Sequence, residues 1–282
     1  MTCRSNWASV KNYVIIHPLL LSRNKHLNQL KAEAMLFDRF DDRYWEADMS
    51  SIEELTVGGS AMKTYVGLPA GTGPHPAMVV MCHGAGIDEF TKDRVDQLAK
   101  AGYAAAAPDV FHRIPEITDS AEKRASMTDG EIADDINATV DFIQAHPNVD
   151  GSRIGIIGHC MGGRMSFLGA IVSPAIKACV VFYSGNMMKT WGEDTAKSPY
   201  DRLDEIACPV IGFFGLEDEN PSPADVDQIE HRLKELNVDC TFYRYESAGH
   251  AFQNFLAKNK FRQGPSDEAW AHVLDFLKEN LG

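Results

Sequence analysis

Three side chains far apart in the chain have the types that a nucleophilic hydrolysis needs. Cys160 lies in the run Gly158-His159-Cys160-Met161-Gly162-Gly163. A thiolate is a strong nucleophile, but the thiol must first lose its proton to a neighbouring base. His250, in Ser247-Ala248-Gly249-His250-Ala251-Phe252, is the candidate base. A third group must hold the imidazole in the correct tautomer, and Asp218, in Gly215-Leu216-Glu217-Asp218, is the candidate acid. Glu217 and Glu219 flank Asp218 as rivals. The chain order is nucleophile, acid, histidine.

Each of these residues follows an apolar run that reads as a strand. Residues 153–157 precede the Gly158 to Gly163 run, 210–214 precede the acid, and 240–245 precede the histidine. Open α/β sheets bind their ligands beyond the carboxyl ends of the strands, so these places suit a site. A glycine two residues before Cys160 and another two after it fit a sharp strand-to-helix turn. The helix that starts there points its positive end at the sulfur, which favours a thiolate and a developing oxyanion. After the run 77–82 comes His83-Gly84-Ala85-Gly86, a glycine-rich loop able to present backbone N–H groups. Gly84 and Met161 are the expected oxyanion donors. His83 is expected to support that loop, with a direct role in catalysis the lesser reading. His159 occupies the variable position of the turn and is expected to pack in the core.

The elements needed to hold these pieces are legible as alternating patterns. A hairpin is expected from 51–57 and 61–68 around Gly58-Gly59. Helices are expected over 90–101, 161–172 and 224–236. Another opens at a capping box, Thr128 to Glu131, with Ile132, Ile136, Val140 and Ile143 on one face. A last helix is expected to be capped by Ser266, with Trp270, Val273, Leu274 and Leu277 inward. Strands alternating with helices imply an α/β fold with a mostly parallel central sheet and helices on both faces. The polar segment 186–206 reads equally as a loop over the site or a surface connection.

Composition narrows the function classes. The 282 residues are 44% hydrophobic and 24% charged, globular values, with a net charge of −13. That balance argues against nucleic-acid and anionic-membrane partners. Six scattered cysteines without a CxxC pair indicate neither a zinc site nor a disulfide framework, and suit a reducing cytoplasm. No apolar run reaches the length of a membrane span. Residues 1–50 read as an extension of unknown role, basic at its start, and 51–282 as the catalytic domain.

At these motifs the sequence resembles the dienelactone hydrolase family. The matching pieces are GHCMGG at 158–163, GLED at 215–218, AGHAF at 248–252 and AGYAAAAPDVF at 101–111. The resemblance spans about 51–282 and implies the α/β-hydrolase fold, with Cys160, Asp218 and His250 as catalytic triad. It also implies a cofactor-free, metal-free cytosolic enzyme, monomer or homodimer, that opens a small ester or lactone through a thiol ester. Two departures stand out. The family's well-studied members carry a glutamate where His83 stands and an arginine, gripping the substrate carboxylate, where Asn254 stands. Arg113 and Arg124 are candidates to replace that arginine. Two other functions share the same residues: a non-catalytic α/β domain binding a ligand or partner, and acyl transfer to an acceptor other than water.

Overall fold

The computed structural model describes residues 50–192 and 197–282. The expected extension over 1–50 therefore lies outside the described residues, apart from Ser50, which opens the first strand.

Eight strands form one sheet: β1 (Ser50–Val57), β2 (Ser60–Gly67), β3 (His75–Met81), β4 (Ala104–Pro108), β5 (Val149–His159), β6 (Ile176–Phe182), β7 (Val210–Gly215) and β8 (Cys240–Tyr245). Their order is β1-β2-β4-β3-β5-β6-β7-β8. The hairpin β1–β2 and the pair β2–β4 are antiparallel, and every pairing from β4 to β8 is parallel. Parallel strands need crossovers. The crossovers place helices α1 (Glu89–Lys100), α2 (Ser120–Ala125), α3 (Asp129–Gln144), α4 (Met161–Val172) and α5 (Pro223–Glu235) between strands, with α6 (Gln263–Leu281) at the end.

The strands are apolar on both faces, and the side-chain period of two divides them between two cores. Ala77, Val79 and Met81 of β3 and Cys179 and Val181 of β6 pack with Ile132, Ile136, Val140 and Ile143 of α3 and with Val226, Ile229 and Leu233 of α5. Met78 and Val80, with Ala178, Val180 and Phe182, pack instead with Val95 and Leu98 of α1 and Ala269, Val273 and Leu277 of α6. Two buried cores sandwiching a mostly parallel sheet are the α/β-hydrolase arrangement expected from the strand–helix alternation.

Three local expectations differ from the structure. The box at Thr128 is half formed: its hydroxyl accepts from Glu131 N (3.1 Å) and donates to the Glu131 carboxylate (2.9 Å), without the reciprocal bond from the cap's own N–H to that carboxylate. The full reciprocal box lies at Ser222 and Asp225. Ser266 is not a cap, because α6 begins one turn earlier and Ser266 N bonds Arg262 O within the helical ladder. The inward stripe of α6 is centred on Ala269, Val273, Leu277 and Leu281; Trp270 and Leu274 flank it half-buried.

Candidate active site

Every residue singled out for chemistry follows the carboxyl end of a parallel strand. Cys160 joins β5 to α4 at φ 59° and ψ −119°, a conformation costly for a side-chain residue. It persists because the surroundings over-determine it. Cys160 N bonds Phe182 O on β6 (3.0 Å), and Gly163 N bonds Cys160 O (3.0 Å). A Cβ on Gly158 would lie 2.1 Å from Gly162 O, and one on Gly162 would lie 2.2 Å from Met81 O. The glycines on either side of the cysteine are therefore required by the contact of helix with strand.

His250, just beyond β8, reaches across to the sulfur. Its Nε2 is 3.0 Å from Cys160 Sγ and its Nδ1 is 2.9 Å from Asp218 Oδ2. Glu217 and Glu219 line the adjoining cavity, but neither carboxylate hydrogen-bonds the imidazole. Asp218 is itself held, accepting from Asn220 N through Oδ1 (2.9 Å), and its side chain is almost fully buried. Burial would push the Cys160 thiol up, yet its pKa is lowered overall. The hydrogen bond and charge of His250, then the Met161 N–H and the Arg124 guanidinium, outweigh desolvation. Burial likewise opposes protonation of His250, and the bonds to Asp218 and Cys160 reverse it, raising the imidazole to about 10. Both shifts favour a thiolate–imidazolium pair. That arrangement can attack an electrophilic carbon and hand a proton to a leaving atom.

The expected oxyanion loop stands beside the sulfur. Gly84 lines a cavity of about 250 Å³ together with His83, Cys160 and His250. His83 Nε2 bonds Asp88 Oδ2 (2.8 Å), while Asp88 Oδ1 caps α1 by accepting from Phe90 N and Thr91 N. His83 thus links the loop to the start of α1. His159 is buried, stacked on Phe182 (4.5 Å between centroids) and bonded to Gln253 Oε1 (2.5 Å). Burial lowers its pKa to about 3, so it stays neutral in the core.

A second cavity, of about 650 Å³, shares Cys160, His250 and Arg124 with the first. Of Arg113 and Arg124, only Arg124 lines the site. Arg113 is spent elsewhere, paired with the buried Asp135 (2.8 Å). Arg124 sits on α2, a helix with no buried residue that sequence patterning does not reveal, and its guanidinium lies against Gly84. Among the described residues it forms no ion pair. Lys260 and Arg262 also line this cavity. Asn254 lines the smaller one, its Oδ1 accepting from Leu256 N.

The segment after β6 is a wall of the site rather than a mere connection, since Asn186 and Trp191 line the larger cavity. Arg164, one turn after Cys160 and fully buried, anchors it. Its guanidinium is bidentate to Asp129, donates to Asn186 O and Lys189 O, and stacks 3.9 Å from the Trp191 ring centroid. Asp129 and Trp191 also exchange backbone-linked bonds, Trp191 N to Asp129 Oδ2 (3.0 Å) and Asp129 N to Trp191 O (2.9 Å). An arginine inside an otherwise apolar helix was the available sequence signal for this anchor. Among the described residues no three His, Cys, Asp or Glu side chains gather as metal ligands would. No described helix is long and apolar enough to cross a membrane.

Known proteins resemble this chain over most of its length. The profile of the dienelactone hydrolase family matches residues 62–281. A provisionally named carboxymethylenebutenolidase from Synechocystis sp. is 34% identical over 228 residues, covering 77% of this chain and 91% of the relative. Another so named, from Methylorubrum extorquens, is 30% identical, covering 80% and 79%. Among solved structures, a provisionally named dienelactone hydrolase from Klebsiella pneumoniae superposes with a TM-score of 0.74 at 24% identity, over 81% of this chain and 98% of that one.

Proposed function

The chain belongs to the dienelactone hydrolase family, and from that premise we propose that it hydrolyses a small ester or lactone through Cys160, with His250 as base and Asp218 as the acid that orients it. One observation carries the reading: the unbroken relay from Asp218 Oδ2 to His250 Nδ1 (2.9 Å) and from His250 Nε2 to Cys160 Sγ (3.0 Å). In the first half-reaction the thiolate adds to the carbonyl carbon. The oxyanion is met by the Gly84 and Met161 N–H groups, at the positive end of α4. Collapse expels the alkoxide, which takes the His250 proton and leaves a thiol ester. In the second half, His250 removes a proton from water, the hydroxide adds to the thiol ester, and the carboxylic acid departs as the thiolate re-forms.

Arg124 is the proposed contact for an anionic group on the substrate. Support for this comes from its place in both cavities and its lack of an ion-pair partner among the described residues. The test is a panel of p-nitrophenyl acetate and small lactones, with and without a carboxylate, assayed with the wild type and Cys160→Ala. Hydrolysis that Cys160→Ala abolishes is the expected result. Turnover that survives the substitution overturns the reading. Product analysis with added alcohols separates hydrolysis from acyl transfer.

A further inference from the structure

Tyr183 is the first residue past β6. Its amide donates to Phe213 O (2.8 Å), and the residue borders the smaller cavity with Cys160, Gly84 and His250. The ring packs edge-on against the His250 imidazole (5.2 Å between centroids) and against Phe252 (5.4 Å). The side chain is 1% exposed, and its hydroxyl has no hydrogen-bond partner. A buried polar group left unpaired is destabilising, and most such groups in folded proteins find a partner. The residue also has φ 37°, a left-handed conformation unfavourable for an aromatic side chain. Phenylalanine would fill the same space without an orphaned donor. Two local costs thus coincide in one residue beside the nucleophile, and such costs persist mainly where function uses them.

The chemistry of the group fits that position. Burial raises the phenol well above its ordinary value, and the charges of Cys160 and Asp218 add to this. The hydroxyl stays protonated, so it is a neutral donor that does not compete with the thiolate–imidazolium pair. We infer that the Tyr183 hydroxyl is a further catalytic group, one that makes its hydrogen bond only when a substrate oxygen occupies the smaller cavity against Cys160. No bond is made or broken at the phenol; it donates to an oxygen whose negative charge grows as the sulfur adds. The inference rests on the hydrolytic reading above and adds to it a donor that sequence alone conceals, because Tyr183 ends an apolar strand and looks like core.

Tyr183→Phe is the test, because it removes the hydroxyl and keeps the ring. On p-nitrophenyl acetate and on a small lactone, kcat/KM is expected to fall by about tenfold, mostly in kcat. The thermal midpoint is expected to hold or rise, and the rate of Cys160 alkylation by iodoacetamide at pH 7 to stay that of the wild type. A structural role would do the reverse. Unchanged kcat/KM, or a lower midpoint with slowed alkylation, overturns the inference. Its failure is distinguishable from failure of the hydrolytic reading: in the first case the wild type still turns over and Cys160→Ala does not, in the second that difference itself is missing.

Discussion

Cys160 and Cys179 stand on adjacent parts of the same sheet, one at the turn after β5 and the other within β6, yet their surroundings give the same thiol opposite chemistry. Cys179 is fully buried in the regular ladder, its Sγ 3.5 Å from Ser166 O, and desolvation raises its pKa well above the ordinary thiol value. Cys160 is also mostly buried, but the strained turn aims it at an imidazole, a backbone N–H and a guanidinium, and its pKa falls. Burial alone therefore raises a thiol's pKa; a neighbouring cation and donors at the strand end lower it again.

That contrast can be broken most forcefully by removing each sulfur in turn. Cys160→Ala is expected to lower kcat by ~10³-fold or more, whereas Cys179→Ala leaves kcat near wild type and costs about 1–2 kcal/mol of stability, read by steady-state assay and denaturant titration. Equal activity losses would mean that the two thiols do not differ in role. Asp218→Asn keeps the shape but withdraws the carboxylate whose hydrogen bond raises His250. A loss of about 10²–10⁴-fold in kcat is expected. The Cys160 alkylation profile should also move upward in pH, because a less basic imidazole stabilises the thiolate less. Gly162→Ala sharpens the geometric half of the comparison. Its new Cβ would meet Met81 O at 2.2 Å, so α4 must shift away from the sheet, and activity should fall by roughly tenfold or more even in protein that folds. The smallest effect is expected at Arg124→Ala: about tenfold in KM for a carboxylated substrate, with little change for an uncharged one, if this cation meets the substrate anion.

Much of this contrast could be read before any coordinates. The glycine spacing around Cys160 and the apolar run before it require a strand, a tight turn and a helix, and the structure has β5, the elbow and α4 there. The two-faced apolar strands likewise imply the doubly covered sheet. Other parts were not legible, for physical reasons. The rivalry of Glu217 and Glu219 with Asp218 could not be closed from residue type, because which of three consecutive acids faces the imidazole depends on the turn after β7. Arg124 lies on a helix that buries nothing, so no hydrophobic period marks it. Ser266 is a cap-forming residue type, yet its helix already begins at Gln263, so residue type alone misplaces the start. Trp191 is held at the cavity wall with the help of Arg164, thirty-some positions away from Asp129, which ties Asp129 and the loop together.

The account is tested most directly by the pH dependence of iodoacetamide labelling, with each cysteine quantified by peptide mass mapping and compared with the loss of esterase activity. Cys160 should be labelled fastest of the five described cysteines and along a profile that rises below the ordinary thiol value of about 8.5, with activity lost in step. Labelling of Cys160 that rises only at or above that value, or no faster than that of Cys240, would contradict it.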